Sequence, residues 1–270
     1  MAVSESVSGP ITYSARSPLR YPGGKTRAIK HITKFFPENL TTLLSPFFGG
    51  GSIELHLAVQ GATVYGYDAF LPLVEFWQCL TQNPNDLANR VATYFPLEKD
   101  AFYDLQKNYN CFPEKSDRAA AFYVLNRSSF SGSTLSGGMS PSHPRFTKSS
   151  IERLHNFYNP NIYIEVLDFQ ESLKKHPNLF TYLDPPYLIE STLYGQKGST
   201  HKDFDHARLF DALKDRKSWV LSYNNCDEIR ALYSDFSRRS PEWVYGMGKE
   251  KESKEILIFS RDLHHLAEGE

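Results

Sequence analysis

Residues 41 to 68 read TTLLSPFFGGGSIELHLAVQGATVYGYD, and they restrict the fold more than any other stretch of the chain. A short apolar run, TTLLSPFF (41–48), gives way to three glycines; IELHLAVQ (53–60) then has the spacing of a helix, and ATVYGYD (62–68) has the alternation and aromatic content of a strand. Parallel strands need a crossover between them, and strand, short loop, helix and strand in that order supply one. The expected fold class is therefore α/β: a mostly parallel, doubly wound Rossmann-like sheet with helices on its faces.

The rest of the chain extends that pattern and interrupts it once. KTRAIKHITKFF (25–36) carries Ile29, Ile32, Phe35 and Phe36 at helical spacing ahead of the first strand. From 71 to 126 four helix-like segments follow one another with no strand between them, an expected helical insert. It runs into SSFSGSTLSGGMSPSHPRFTKSS (128–150), which holds no acidic residue and is rich in Ser, Gly and Pro; a loop that long is either functional or disordered. Alternation then resumes: helix at 150–158, strands at 161–168 and 178–184, helix at 205–214, strand at 218–223 and helix at 227–236. WVYGM (243–247) and EILIFS (255–260) suggest a terminal antiparallel hairpin. The expected division is an α/β domain from residues 1–75 and 150–270, with residues 76–149 as a helical insert. No internal repeat is apparent.

Composition excludes several classes. With 40% apolar and 23% charged residues over 270 positions, this is the make-up of a soluble globular protein, and 19 Phe with 16 Tyr suit both cores and base stacking. A net charge of −1 means that any nucleic-acid surface must be local. Cys79, Cys111 and Cys226 are widely spaced, so neither a disulfide framework nor a zinc site is indicated, and the His264–His265 pair lacks further ligands close in sequence. Residues 1–10, MAVSESVSGP, have neither the basic start nor the apolar centre of a signal peptide and read as a flexible tail. No apolar stretch reaches the roughly 18 to 20 residues that span a bilayer. A cytoplasmic location away from any membrane is expected.

Candidate chemistry sits at the strand ends. Gly49, Gly50 and Gly51 lie between a strand and a helix, and Asp68 ends the next strand, the geometry in which backbone approaches a nucleotide while an acid takes a ribose hydroxyl pair; a plain tight turn is the alternative. RYPGGKT (20–26) mimics a phosphate loop, but Leu19 stands where that motif needs its first glycine and no strand precedes it, so a nucleoside triphosphatase is excluded. Glycine backbone, aromatic rings and carboxylates without a phosphate cradle suit S-adenosylmethionine, whose sulfonium is cationic. Asp68, Asp168 and Asp184 each close a strand, and in an open parallel sheet they should line one crevice. TYLDPPYLI (181–189) sets Asp184 against Pro185, Pro186 and Tyr187, where the prolines terminate a strand and also fix a loop without adding donors.

LRYPGGK (19–25), SPFFGGGS (45–52), YGYDAF (65–70), YVLNRSSFSG (123–132), VLDF (166–169), LDPPY (183–187) and LSYNN (221–225) occur in the order found in the DNA adenine-N6 methyltransferase family. The chain resembles the branch whose target-recognition segment lies between the cofactor loop and the DPPY motif, over about residues 16–260. The resemblance implies a site-specific enzyme that moves the methyl group of S-adenosylmethionine to N6 of a flipped adenine in double-stranded DNA, leaving S-adenosylhomocysteine and using no metal. Asp184 and the Pro185 carbonyl would accept the two amino hydrogens, with Pro186 fixing the loop and Tyr187 stacking on the base. Tyr21, Lys25, Phe47, Gly49, Gly51, Asp68, Asp168 and Asp184 would surround the cofactor, Asp68 at the ribose and Asp168 at the adenine. The family usually has an acid where this chain has Ser45, so the methionine amino group would be held differently or by another carboxylate.

For DNA, the resemblance points to Asn126 and Arg127, and the loop adds Arg145 and Lys148, which would contact phosphates or else form a solvated surface. YGQKGSTHKDF (194–204) would close over the flipped base, contact its backbone, or form a plain surface loop. A cognate restriction endonuclease is a possible partner, and binding to DNA would place the protein on the nucleoid. The same hydrogen-bonding chemistry would serve RNA adenine or the N4 of cytosine, and a catalytically silent DNA-binding protein of this fold is a further alternative.

Overall fold

A computed structural model describes residues 13–140, 145–188, 204–240 and 255–268. Among them seven strands form one sheet in the order β3-β2-β1-β4-β5-β7-β6. The strands are β1 (Thr42–Ser45), β2 (Thr63–Asp68), β3 (Ile162–Val166), β4 (Thr181–Leu183), β5 (Trp219–Asn224), β6 (Arg238–Arg239) and β7 (Glu255–Phe259). β1 to β5 pair in parallel, whereas β7 runs antiparallel to both β5 and β6. The expected mostly parallel α/β sheet with an antiparallel finish is therefore found. The expected hairpin strand at 243–247 lies outside the described residues, and within them β6 takes the place beside β7.

Helices cover both faces. α1 (Ile29–Thr33), α2 (Ser52–Val59), α3 (Leu71–Gln82), α4 (Pro84–Ala92), α5 (Lys99–Asn108), α6 (Lys115–Ser128) and α7 (Lys148–His155) fall on one side; α8 (Phe169–Lys175), α9 (His206–Leu213) and α10 (Asp227–Leu232) fall on the other. Successive strand residues consequently feed two cores: Leu43, Val220 and Leu257 join the first, and Leu44, Leu221 and Ile258 join the second. That is why the central strands read as continuous apolar runs, while edge strand β3 alternates Ile162 and Ile164 with the exposed Tyr163 and Glu165.

α3 to α6 form the helical segment expected from the sequence. Pro72 opens α3, and the Asn83 side chain caps α4 by accepting from the Asp86 N–H. A buried Glu75 on α3 binds Arg118 of α6 at 2.9 Å. The expected boundary between 75 and 76 falls inside α3, and the one between 149 and 150 inside α7. One apolar cluster includes Val64 of the sheet, Phe76 and Trp77 of α3 and Phe122 of α6. Helix α6 is buried from Ala119 to Ser128, so it runs through the body of the protein.

Two local readings are corrected. The helix expected over 25–36 narrows to Ile29–Thr33, because Gly23 has a positive φ and the chain around Lys25–Ala28 forms a turn first. α8 occupies a stretch given no element from the sequence; Asp168 starts it by accepting from the Gln170 N–H, and Phe169, Ser172 and Leu173 are buried.

The sheet order reverses between β1 and β4. From β1 the chain winds outward through β2 to β3, then returns to β4 on the other side of β1 and continues to β5. At such a switch point the loops leaving the carboxyl ends diverge and open a crevice. Ser45 and Asp184 end or follow the two strands that flank it.

Candidate active site

The glycine loop after β1 is set by close contacts. Gly51 caps α2 with φ 67°, and a Cβ there would lie 2.8 Å from the Phe48 ring, so no larger residue fits. A Cβ on Gly50 would come within 2.7 Å of the Tyr21 Cβ, which places Tyr21 directly over the loop. The Asp68 carboxylate accepts from the Gly49 N–H at 3.0 Å and from the Phe70 N–H at 2.9 Å. The loop is thereby tied to the end of β2. Burial pushes the Asp68 carboxyl above the usual range, and the backbone N–H groups of Phe70, Gly49 and Ala69 offset part of that.

At the end of β4, Asp184 meets Lys25. The ammonium, 3% exposed, lies 2.8 Å from the Asp184 carboxylate and donates to the Tyr187 hydroxyl at 2.8 Å and to the Gly23 carbonyl at 3.2 Å. Burial alone would lower the Lys25 pKa, yet Asp184, Tyr187 and Glu255 hold it well above its ordinary value. Burial raises the Asp184 carboxyl, partly offset by Lys25 and by the nearby Tyr187 hydroxyl. RYPGGK and DPPY, far apart in sequence, thus form one ionic unit.

The turn after Asp184 is held from β5. Asn224 accepts from the Leu188 N–H at 3.0 Å and donates to the Leu188 carbonyl at 2.7 Å. With Pro185 and Pro186 limiting φ, the segment from Asp184 to Leu188 has little freedom. The Tyr187 ring packs near Tyr223 with centroids 6.1 Å apart and lies 4.9 Å from the Lys25 nitrogen.

Asp168 sits at the same end of the sheet but is engaged. It pairs with Arg208, whose Nη1 donates at 3.1 Å, while capping α8. The Arg208 guanidinium covers the Phe169 ring at 4.7 Å, and Phe47, Phe169 and Phe204 pack together with centroids 5.6 Å apart. Phe47 was expected here; Phe169, Phe204 and Arg208 were not. VLDF already set Phe169 next to the expected acid, but no spacing connects it to residues 204 or 208.

Two carboxylates were missed altogether. Glu54, on α2 and 3% exposed, accepts from the Ser45 hydroxyl at 2.7 Å. Burial pushes its carboxyl up to about 7, with the Ser45 hydroxyl and backbone N–H groups opposing and Asp184 adding to the shift. Glu255, the first residue of β7, accepts from the Tyr187 hydroxyl at 2.8 Å and stands 3.5 Å from the Lys25 ammonium. Among the described residues, then, two acids, Asp184 and Glu255, flank the single buried ammonium of Lys25, and Glu54 lies within electrostatic reach of Asp184.

The four residues expected at DNA divide in two. Asn126 is 1% exposed and clamps the Arg20 backbone, accepting from its N–H and donating to its carbonyl, each at 2.8 Å. Arg127, 8% exposed, donates to the Arg145 carbonyl at 2.9 Å and to the Pro18 carbonyl at 3.3 Å. Both side chains use their donors within the protein, where this pair joins the RYPGGK segment to the loop after α6. Arg145 and Lys148 are exposed on that loop and at the start of α7. The same loop carries Phe130 at 64% exposure beside a bridge between Ser129 and Met139. Residues 141–144 and most of the second expected loop, 194–203, lie outside the described residues.

Known proteins match this arrangement over most of the chain. The D12 class N6 adenine-specific DNA methyltransferase family matches residues 21–247. A type II methyltransferase, M1.LlaDCHI, from Lactococcus lactis subsp. cremoris is 25% identical across 88% of this chain and 93% of its own length. The type II methyltransferase M.CviBI of Paramecium bursaria Chlorella virus NC1A is 24% identical across 84% of this chain and 90% of its own. A DNA adenine methylase of Vibrio cholerae is 26% identical across 81% of this chain and 84% of its own.

Proposed function

The chain belongs to the D12 class N6 adenine-specific DNA methyltransferase family, and from that premise we propose that it is a site-specific enzyme transferring a methyl group from S-adenosylmethionine to N6 of an adenine flipped out of duplex DNA. The observation that carries this reading is the position of Asp184, beside the topological switch point in a rigid Pro-Pro turn and next to a glycine loop tied to Asp68.

The residues at the crevice fit the cofactor. Two acids, Asp184 and Glu255, around one ammonium leave an excess of negative charge, which suits a ligand carrying a sulfonium and an α-ammonium. The Gly49 and Phe70 N–H groups each bind one Asp68 oxygen, leaving lone pairs for ribose hydroxyls. Phe47, Phe169 and Phe204 offer an apolar wall for the cofactor's adenine, close to Asp168. Glu54 is the carboxylate proposed for the methionine amino group, standing against the serine that occupies the usual acidic position. When bound, S-adenosylmethionine supplies an electrophilic methyl group.

The chain's own residues prepare the nucleophile. Adenine N6 is weakly nucleophilic because its lone pair is shared with the ring. A hydrogen bond to the Asp184 carboxylate and another to the Pro185 carbonyl hold the amino group so that the lone pair turns toward the methyl carbon. Tyr187 gives the base a face to stack on, which helps offset the few kcal/mol that unstacking costs. Preorganised acceptors away from bulk water act chiefly through electrostatics and positioning. In this reading residues 76–149 recognise the target, Arg145 and Lys148 contact DNA, and Asn126 with Arg127 shape the loop that carries them. Pairing with a restriction endonuclease is consistent with the type II names of two relatives.

The test is nucleoside analysis of DNA and RNA treated with the purified protein and S-adenosylmethionine. N6-methyldeoxyadenosine is expected with wild type and is lost in Asp184→Ala, which keeps cofactor binding. Methylation of cytosine or RNA alone, no transfer to mixed-sequence DNA, or near wild-type turnover in Asp184→Ala would each overturn the assignment.

A further inference from the structure

Glu255 comes from a strongly charged stretch, KEKESKE (249–255), yet it is only 7% exposed. β7 runs antiparallel to β5, and Glu255 is in register with Asn224. The two strands therefore fix the catalytic turn together, Asn224 through the backbone of Leu188 and Glu255 through the hydroxyl of Tyr187. Lys25 stands between two carboxylates, 2.8 Å from Asp184 and 3.5 Å from Glu255. The Tyr187 hydroxyl links the set, accepting from Lys25 and donating to Glu255, each at 2.8 Å.

This geometry bears on how Asp184 can work. Accepting a hydrogen bond from an entering amino group divides the carboxylate's charge between that group and the Lys25 ammonium bound at 2.8 Å, which weakens its hold on Lys25. An ammonium that is 3% exposed and loses its anion is costly. Gly23 and Tyr187 contribute neutral oxygens, which replace only part of the lost attraction. Glu255 supplies an anion already within pairing distance.

We propose that Glu255 is a positioning residue of the methyl transfer: it gives the Lys25 ammonium a second anionic seat and fixes the Tyr187 hydroxyl, freeing Asp184 to accept from the target amino group. This rests on the reading of Asp184 as that acceptor. Among the described residues, the ionisable groups facing Glu255 include Lys25, Asp184, Tyr187 and, from β4, Tyr182, with Glu54 beyond Asp184. Arg238 and Arg239 of β6 pair further along β7, at Ile258 and Leu257.

Single-turnover transfer to unmethylated mixed-sequence duplex DNA, followed over pH with Glu255→Gln, Glu255→Asp and Asp184→Ala, tests this. Glu255→Gln should lower the transfer rate roughly 100-fold, leave the Kd for S-adenosylmethionine within about twofold by calorimetry, and move the acid limb of the rate to lower pH because a like charge near Asp184 is gone. Glu255→Asp keeps the charge and loses reach, so its rate should be intermediate and its acid limb unmoved. A transfer rate for Glu255→Gln within about twofold of wild type, a defect confined to cofactor affinity, or an unmoved acid limb overturns the proposal. If Glu255→Gln does not fold by circular dichroism, a wild-type rate in Glu255→Asp overturns it and a reduced rate supports it. Retained turnover in Asp184→Ala would instead remove the reading of Asp184; an inactive Asp184→Ala with a fully active Glu255→Gln removes only the role of Glu255.

Discussion

The Ser45 hydroxyl donates to the Glu54 carboxylate at 2.7 Å, placing a buried acid beside the end of β1, where the strand itself carries only serine. The carboxylate pays for its location: burial raises its pKa from an ordinary 4.5 to about 7. The folded protein therefore holds this proton more tightly than the unfolded chain, and stability falls as pH rises from about 4.5 to about 7. Above that window the full cost is about 3 kcal/mol. Glu54→Gln retains an oxygen for Ser45 and has no charge to bury. Urea unfolding should show the variant more stable than wild type at pH 8 and close to it near pH 4; equal stability at pH 8 would remove the assigned burial cost.

Asp68 joins the glycine loop to β2 and has acceptor capacity left for a ligand. Asp68→Ala should weaken S-adenosylmethionine binding roughly 10- to 100-fold, the range expected when a charged hydrogen-bond acceptor is lost. Calorimetry on the DNA-free protein measures this directly. Unchanged affinity would count against the ribose contact.

Asn126 is a structural clamp by its geometry. Asn126→Ala leaves the Arg20 N–H and carbonyl without this partner inside the protein, at a cost of roughly 2 to 3 kcal/mol. The expected outcome is a lower Tm and urea midpoint in the absence of DNA. A variant of wild-type stability that has lost DNA affinity would instead restore the direct contact first expected of it.

These contrasts show how far the sequence could be read. The β-loop-α-β unit and the acids at strand ends were legible because period and punctuation are local signals. α8 was not, since seven residues are too few to establish a helical period, and its start depends on an Asp168 cap. Glu255 reads as one more charge in a solvated run, and only pairing of β7 with β5 takes it inside. For Asn126 and Arg127 a signal was available: they follow AAAFYVL, which is apolar on every face, so the next helical turn should also be buried. Glu54 offered a similar signal between Ile53 and Leu55, but its partner Ser45 is nine positions away on a strand, where no helical spacing connects them.

Arg145 and Lys148 provide the test of the DNA surface. With a net charge of −1, attraction to a duplex must come from local groups, and both of these are exposed on or beside the basic loop. Neither is buried, so Arg145→Ala and Lys148→Ala should leave stability almost unchanged. Each should weaken binding to duplexes of any sequence and reduce the steepness of log K against log salt by about 0.9 if one phosphate contact is lost. Fluorescence anisotropy of a labelled duplex over a range of salt concentrations gives that slope. A shallower line in each single variant, and a further reduction in the double variant, is expected from two independent phosphate contacts; slopes identical to wild type would return both side chains to the solvated surface.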